Sequence, residues 1–176
     1  MTFRTLLAAL AVVVAVGHAP ARAASPAELN DLQMAHVAYV ADNIDIRYAH
    51  LALAISRNPA VRRFAETMIR DHTAVNNQAL ALLKKLKAKP QNNFLSKQLL
   101  AGSHKLIDEM SKLRGRAFDR RYAQNELAYH KAVNNLVANA FIPNIENKEV
   151  KALFKAGLQI FKAHQRHAEQ MVRQLK

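Results

Sequence analysis

The chain has 176 residues, with 26 basic against 13 acidic residues and no cysteine. This length allows one domain with a substantial core. The missing cysteines exclude a disulfide framework, thiol catalysis and thiolate metal ligands, so stability must come from the packing of helices.

Residues 1–23 are predicted to be a cleaved signal peptide. They combine a basic start at Arg4, an apolar run over residues 6–16 and the cleavage-site sequence Ala21-Arg22-Ala23, which are the typical features of a secretory signal. The apolar run is too short to anchor the chain across a bilayer. We therefore expect residues 24–176 to form a single exported domain, periplasmic or secreted, without a transmembrane anchor.

The mature chain predicts an all-α fold with four long helices and one shorter helix. Ser25-Pro26-Ala27-Glu28 has the form of a capping box with an early proline, and Asn58-Pro59 repeats the signal for a helix start. The predicted helices cover residues 26–57, 59–87, 94–113, 116–141 and 147–175. Short connections favour an up-down four-helix bundle of the long helices, with segment 94–113 as an extra helix between the second and third.

Several polar residues fall on the stripes that these helices should bury. Apolar positions alternate at spacings of four and three, which marks one buried face per helix. Antiparallel packing is expected to place Asp45 beside His72, and Glu126 level with His164. His36, His50 and His104 lie off the stripes and are expected at the surface. The inward residues are Asp45, His72, Glu126, His130 and His164.

Buried imidazoles and carboxylates require partners, so these residues form either a hydrogen-bonded structural network or a metal site. As ligands from facing helices they suit a divalent iron, zinc, copper or manganese ion. Pairs such as Glu126 with His130, or His164 with His167, have helical spacings that allow chelation. No histidine has an acid three residues before it, which argues against a ferroxidase or a di-iron oxygenase.

Asp71 precedes His72, but neighbouring residues of a helix point about 100° apart and cannot form a catalytic dyad. We expect Asp71 to meet a basic side chain of a neighbouring helix or to cap the polar network from its edge. The sequence has no phosphate loop, nucleophile elbow or HExxH motif. An oxidoreductase would need a second carboxylate-rich ligand set, so the chain is interpreted as non-enzymatic.

The charge supports an alternative function. Without Arg4 and Arg22, the mature chain has 24 basic against 13 acidic residues, a net charge of +11. An exported basic protein meets anionic lipid or acidic polymers of the envelope, not nucleic acid. It would then be an envelope interaction or structural protein, with the buried histidines only a structural network. The basic residues are scattered along helices, so a merely solvated surface is the competing interpretation.

Ordered motifs of the chain resemble the DUF4142 family of exported bacterial proteins over about residues 34–171. The resemblance implies a ferritin-like four-helix fold in the bacterial envelope, in a family without an assigned biochemical role. The motifs are Asn58-Pro59-Ala60-Val61-Arg62-Arg63-Phe64-Ala65, then Met68, Asp71-His72 and Asn76, then Gly115-Arg116-Ala117-Phe118-Asp119-Arg120-Arg121-Tyr122 with His130, and finally His164.

The resemblance also implies a set of recurring polar positions. The family usually has a glutamate where this chain has Asp45, and often an uncharged residue in place of Glu126. It commonly has a proline where this chain reads Gln159-Ile160-Phe161. The recurring positions correspond here to Asp71, His72, Asp119, Tyr122, His130 and His164, of which Asp71, Asp119 and Tyr122, together with His167, are expected to support the ligands.

Overall fold

The computed structural model describes residues 25–175, and the predicted signal peptide, residues 1–23, lies outside them. All regular secondary structure in the described part is helical, which confirms the all-α class. None of the helices between residues 25 and 175 combines the length and apolar character needed to cross a membrane.

The helices follow the predicted order with shifted bounds. A 3₁₀ turn, Pro26–Glu28, precedes the long helices, and a π-helical turn, Val137–Phe141, lies before a single helical turn, α5. The helices are α1 (Asp31–Ile55), α2 (Pro59–Lys85), α3 (Phe94–Ser111), α4 (Gly115–Leu136), α5 (Ile142–Asn144) and α6 (Lys148–Gln174).

The predicted start of the first helix is wrong. The Ser25 capping box exists, but it caps only the 3₁₀ turn. A second capping box starts α1, because Asn30 Oδ1 accepts from the backbone N–H of Gln33 at 2.9 Å and Gln33 Oε1 accepts from that of Asn30 at 3.0 Å. Two consecutive boxes fit the same sequence signal, and only the second leads into a long helix.

The predicted third helix, over residues 116–141, changes geometry before its end. Regular α-helix stops at Leu136, and Val137–Phe141 continues as a π turn. Pro143 has no N–H with which to continue the helical ladder, and its ring crowds the preceding turn. The second helix also ends two residues early, at Lys85, because Lys87 adopts a left-handed conformation with φ 52°.

The four long helices pack against one another in a closed sequence of neighbours. α1 lies on α2 and α4, while α6 lies on the other sides of α2 and α4. The shorter α3 packs mainly on α1. In each long helix, the buried polar positions lie between two stretches of apolar residues, so a polar layer separates two apolar clusters.

The two apolar clusters differ in their packing. The first, near the α1–α2 connection, contains large and fully buried side chains such as Phe64, Met68 and Tyr122. The second, near the α4–α6 connection, is built around Met34 and Phe141, and its buried members are up to 8% exposed, against at most 2% in the first. The polar layer is therefore closed by a dense core on one side and a looser one on the other.

Candidate metal centre

The structure brings the five inward residues together in the polar layer, and Asp45, His72, Glu126, His130 and His164 are called the polar cluster below. All five side chains are buried. Ligand atoms of the three histidines lie within 4.8 Å of one another, and those of Asp45, Glu126 and His130 do so as well. Helices α1, α2, α4 and α6 thus each contribute to one or both of two groups of possible metal ligands, which share His130.

Helical periodicity explains why these side chains face inward. In α2, the buried Met68 and Asn76 lie four residues before and after His72, which places all three on one face. The short α1–α2 connection reverses the chain, so Asp45 and His72 reach the same level. Their nearest atoms, Asp45 Oδ2 and His72 Nε2, are 3.3 Å apart.

Two of the histidines are oriented by carboxylates outside the cluster. His72 Nδ1 lies 2.7 Å from Oδ1 of Asp42, a residue of α1. His164 Nε2 lies 2.9 Å from Asp71 Oδ2, within α2. Each carboxylate fixes the plane of its imidazole. In the neutral form of either ring it assigns the proton to the outer nitrogen, so that the inner nitrogen then carries a lone pair toward the cluster.

His130 is oriented by its own helix. Its Nδ1 lies 2.9 Å from the backbone oxygen of Glu126, an acceptor that requires this nitrogen to carry the proton. The inner nitrogens of the three rings, His72 Nε2, His130 Nε2 and His164 Nδ1, are buried and have no hydrogen-bond partner among the described residues. Ligating histidines in metal sites show this pattern, with one nitrogen anchored and the other free.

Asp45 completes the set with an acidic oxygen. Its Oδ2 lies 3.3 Å from His72 Nε2 and 3.4 Å from His130 Nε2, yet neither contact has the geometry of a hydrogen bond. A tetrahedral ion with bonds of about 2.0–2.1 Å holds its ligand atoms roughly 3.3 Å apart. The two distances from Asp45 Oδ2 therefore match those between ligands of one shared ion.

Glu126 adds a second carboxylate at the edge of this set. Its Oε2 lies 3.8 Å from His130 Nδ1 and has no hydrogen-bond partner among the described residues, while Oε1 accepts from Asn125 Nδ2 at 3.4 Å. Burial and the nearby charge of Asp45 raise the pKa of Glu126 well above its ordinary value. Without a metal ion, Glu126 is therefore the protonated acid beside an ionised Asp45.

Without a metal ion, His72 is the charged histidine. Burial opposes its protonation, but the negative charge of Asp45 and the hydrogen bond to Asp42 raise the pKa of His72 to about 10. Burial likewise opposes ionisation of Asp45, and the charges of His72 and His130 lower its pKa to about 2. Burial raises the pKa of Asp42, although its hydrogen bond to His72 partly offsets this. The His72 imidazolium thus lies between two carboxyl groups.

The other two histidines are neutral at pH 7. Burial lowers the pKa of His130. It also lowers the pKa of His164, to about 4, against the opposing hydrogen bond with Asp71. Neutral imidazole is the form that binds metal ions. An ion that enters the cluster therefore has to displace a proton from His72 but not from His130 or His164.

Aromatic rings enclose the cluster. Phe161 stacks on His72 with ring centroids 4.7 Å apart and an interplanar angle of 12°. Phe64 meets His130 edge to face, at 6.4 Å between centroids. These rings restrict rotation of the two imidazoles and exclude water from their free nitrogens.

The supporting residues predicted from the sequence have different positions. Asp71 caps the cluster from its edge, and its basic partner is its own neighbour Arg70, whose Nε donates at 2.7 Å, instead of a residue from another helix. Asp119 accepts a hydrogen bond from Ser56 Oγ, which ties α4 to the end of α1. Tyr122 is fully buried, and its hydroxyl has no hydrogen-bond partner among residues 25–175.

The remaining histidines stay outside the cluster. His167 is exposed and packs on Phe64 at 5.0 Å between centroids, so it does not chelate an ion together with His164. His50 and His104 are exposed, as expected, and His36 is partly buried.

Asp42 was missed by the sequence analysis, although it holds His72 in place. It lies three residues before Asp45, a spacing that puts both carboxylates on one helical face. That spacing is the signal by which Asp42 could have been found. Its position near the edge of a broad apolar face concealed it.

Comparison with known proteins agrees with the motifs. A search of curated proteins and of solved structures finds no match to this chain. A family model described as a domain of unknown function, DUF4142, matches residues 17–171, which is most of the chain. The protein therefore belongs to the DUF4142 family.

Proposed function

We propose that the protein is an exported metal-binding bundle of ferritin-like architecture that holds one divalent ion in the polar cluster. The observation that carries the proposal is the division of each imidazole into an anchored outer nitrogen and a free buried inner nitrogen. Unpaired buried nitrogens are costly. A metal ion bound by the three rings would satisfy all three nitrogens. Asp45, whose Oδ2 lies 3.3 Å and 3.4 Å from two of them, would be the fourth ligand.

The donor set limits the choice of ion. His72, His130, His164 and Asp45 supply three imidazole nitrogens and one carboxylate oxygen, a set that suits zinc, copper and iron and suits manganese less well. The separations of about 3.3 Å favour a tetrahedral ion, so zinc is the first candidate. Four protein ligands leave no open position in a tetrahedral site, which fits binding or stabilisation better than catalysis.

Two further parts of the proposal rest on the sequence and on the packing. The signal-like segment over residues 1–23 supports export. The mutual contacts of α1, α2, α4 and α6, with ligands on all four inner faces, support a ferritin-like up-down bundle.

The test is the metal content of the mature chain. Residues 24–176 are purified without chelators, and bound ions are measured by native mass spectrometry and elemental analysis. A second sample is stripped and reloaded with zinc, iron(II), copper(II) or manganese(II). We expect one ion per chain, with zinc bound most tightly among zinc, iron(II) and manganese(II). Failure of all four ions to bind stoichiometrically would overturn the proposal.

A pair of variants distinguishes the cluster from adventitious binding. His72→Ala removes one inner nitrogen, whereas His104→Ala removes an exposed histidine of α3. We expect His72→Ala to lose the ion and His104→Ala to keep it. Equal metal content in both variants would show that the ion is bound elsewhere.

A second candidate function is adsorption to the anionic lipid surface of the envelope. Five exposed basic residues of α6 follow one line along the helix, within about 40° of arc at 100° per residue. The line extends over about 37 Å at 1.5 Å per residue. None of the five forms an ion pair with another of the described residues. This basic stripe consists of Lys148, Lys155, Lys162, Arg166 and Arg173.

The basic stripe supports adsorption over the alternative of a merely solvated basic surface. Its test is sedimentation with vesicles of phosphatidylglycerol and phosphatidylethanolamine at increasing salt. Binding should weaken steeply with salt, and K155E/K162E should lose it. The control K97E/K105E makes the same charge change at exposed positions of α3. Equal losses in the two variants would assign the binding to net charge alone.

A further inference from the structure

An open pocket of about 640 Å³ lies at the end of the bundle where α1 connects to α2 and where α4 begins. This volume falls within the range of about 300–1,000 Å³ that is usual for small-molecule sites. Gly115 lines the pocket, and His130 of the same helix lies about 22 Å further along the axis at 1.5 Å per residue. The pocket is therefore separate from the polar cluster. Its charged lining residues are Arg57, Arg62, Arg114 and Asp119, and it is called the arginine pocket below.

Two of these arginines are held by the ends of neighbouring helices. Arg62 Nη1 donates to the backbone oxygens of Leu53 and Ser56, at 2.7 and 3.1 Å. Arg114 Nη1 donates to two backbone oxygens at the end of α3, at 2.6 and 2.7 Å. A guanidinium has five N–H donors, and those on Nε and Nη2 of both residues have no acceptor among the described residues. These donors remain available to a ligand, on side chains that are already fixed.

The third arginine lies on a fastened segment. Arg57 is exposed, and it forms no hydrogen bond or ion pair with another residue of the described range 25–175. Ser56 Oγ donates to Asp119 Oδ1 and accepts from the backbone N–H of Asn58 at 3.1 Å. The connection that carries Arg57 is thus tied to the first turns of α4, although the guanidinium itself has no protein partner there.

The charges of the pocket favour an anion. Three arginines and the carboxylate of Asp119 leave a net charge of +2, and one oxygen of Asp119 is already occupied by Ser56. Gly115 is the first residue of α4, and no side chain caps this helix. The positive end of the α4 dipole therefore adds to the charge of the arginines.

The number of arginines indicates which anion fits. A phosphate monoester has a charge of about −1.5 to −2 at pH 7 and three acceptor oxygens, whereas a carboxylate has a single charge and two oxygens. Planar guanidinium groups match phosphate oxygens in bidentate pairs. Leu53, Ala54 and Ile55 form an apolar wall of the pocket, and the volume leaves room for an organic group beside the phosphate.

We propose that the arginine pocket binds a phosphate monoester, with the phosphate held by Arg57, Arg62 and Arg114 and the organic group on the apolar wall. Such a monoester is either a small soluble molecule or the headgroup of a phospholipid such as phosphatidic acid, and both present the same chemistry. None of the four proposed metal ligands lines the pocket. Binding is therefore expected in the metal-free and in the metal-loaded protein.

The first experiment is a calorimetric titration of the metal-free mature chain with phenyl phosphate at pH 7 and low salt. One molecule per chain is expected. Benzoate keeps the ring but has a carboxylate, and inorganic phosphate lacks the ring. We expect each of these two probes to bind at least tenfold more weakly than phenyl phosphate. Equal affinity of either probe would overturn the proposal.

A pair of variants separates the pocket from net charge. Arg57→Gln removes a guanidinium of the pocket, and Arg47→Gln makes the same charge change at an exposed position of α1. We expect Arg57→Gln to weaken binding at least tenfold and Arg47→Gln to leave it unchanged. Circular dichroism melting verifies that both variants are folded. Equal affinities of the two variants would contradict the assignment to this pocket.

Vesicle sedimentation distinguishes the two sources of the monoester. Phosphatidic acid has a monoester headgroup, whereas phosphatidylglycerol has a diester, and both are compared at equal vesicle charge. A preference for phosphatidic acid that Arg57→Gln abolishes would assign the site to the lipid. Binding of phenyl phosphate without this preference would assign it to a soluble ester. Absence of both overturns the proposal, and because no outcome depends on metal content, the proposed metal site would still stand.

Discussion

The polar cluster borders an apolar cavity of about 60 Å³, and Phe161 and Asp42, which both contact His72, line that cavity. The two regions are incompletely satisfied in different ways. The polar cluster has buried nitrogens and carboxylate oxygens without hydrogen-bond partners, and its atoms are close together. The cavity has side chains that leave about 60 Å³ between them. The cluster has polar atoms without hydrogen-bond partners among residues 25–175, whereas the cavity has apolar side chains with unfilled space between them.

The difference shows that one fold can leave two kinds of incompletely satisfied interior. A charged ion can offset the desolvation of several polar groups at a single point. An unfilled apolar space is offset instead by side-chain atoms that make van der Waals contacts. The effects of substitutions on stability should therefore differ between the two regions. They should differ in magnitude, in their dependence on pH and in their response to a chelator.

The largest effect is expected from His72→Ala in the metal-free protein. It leaves Asp42 and Asp45 buried without their cationic partner, and removal of one member of a buried charged set costs about 3–5 kcal/mol. Urea unfolding in the presence of EDTA measures the change. His104→Ala should remain within about 0.5 kcal/mol of the wild type. A small effect at both positions would mean that His72 is not charged in the fold.

Asp71→Asn should weaken metal binding by about 10- to 100-fold, because it removes the carboxylate that orients His164. Competition with a chromophoric zinc chelator provides the affinity. The control Asp108→Asn makes the same change at an exposed position of α3 and should have no effect. If Asp71→Asn keeps full affinity, His164 does not bind the ion through its inner nitrogen.

Stability of the metal-free protein should depend on pH through His72. Its pKa rises from an ordinary 6.5 to about 10 in the fold, so its contribution is complete below about pH 6.5 and is lost as the pH rises through 10. The difference in the free energy of unfolding between wild type and His72→Gln should therefore shrink from pH 6.5 to pH 10.

His164 provides the opposite case for the same measurement. Its pKa is lowered from 6.5 to about 4, so its contribution is present above pH 6.5 and declines as the pH falls toward 4. The difference between wild type and His164→Gln should thus shrink on acidification. The same direction for both variants would contradict the assignment of the charge to His72.

The smallest effect is expected on the cavity side, from Gly157→Ala. Alanine is about 1 kcal/mol more favourable than glycine inside a helix, and its methyl group would sit 3.6 Å from Phe161 Cε2 in ordinary contact. Thermal unfolding should show a gain similar to that of Gly102→Ala, where a Cβ meets nothing within 4 Å. A loss at Gly157 alone would show that this part of the interior is already filled.

Periodicity predicted the helices and the inward faces of His72, His130 and His164, because helical spacing depends on nearby residues only. It did not identify Asp42, and it gave Asp71 only as one of two alternatives, a cap at the edge of the polar network, without naming His164 as its partner. Asp42 and Asp71 are paired with residues 30 and 93 positions away, and the sequence does not encode such distances locally. The first capping box was likewise assigned to the long helix, because both boxes obey the same rule.

The cavity could not have been predicted either. Ala79 and Gly157, which line it, look like ordinary small seam residues, and the space between them depends on how closely two distant helices approach each other. Asn76 also lines it and was visible as a motif residue, but the absence of a partner for its side-chain oxygen among the described residues is a property of the packed interior.

Asp71 has a consequence for the speed of exchange. Its side chain is 23% accessible to solvent, whereas that of His164, which it holds, is only 5% accessible. Asp71 therefore lies at the boundary between solvent and the buried cluster. A rotation of this partly exposed carboxylate would release the His164 imidazole without unpacking a helix, so an ion in the proposed site should exchange faster than its buried ligands alone would allow.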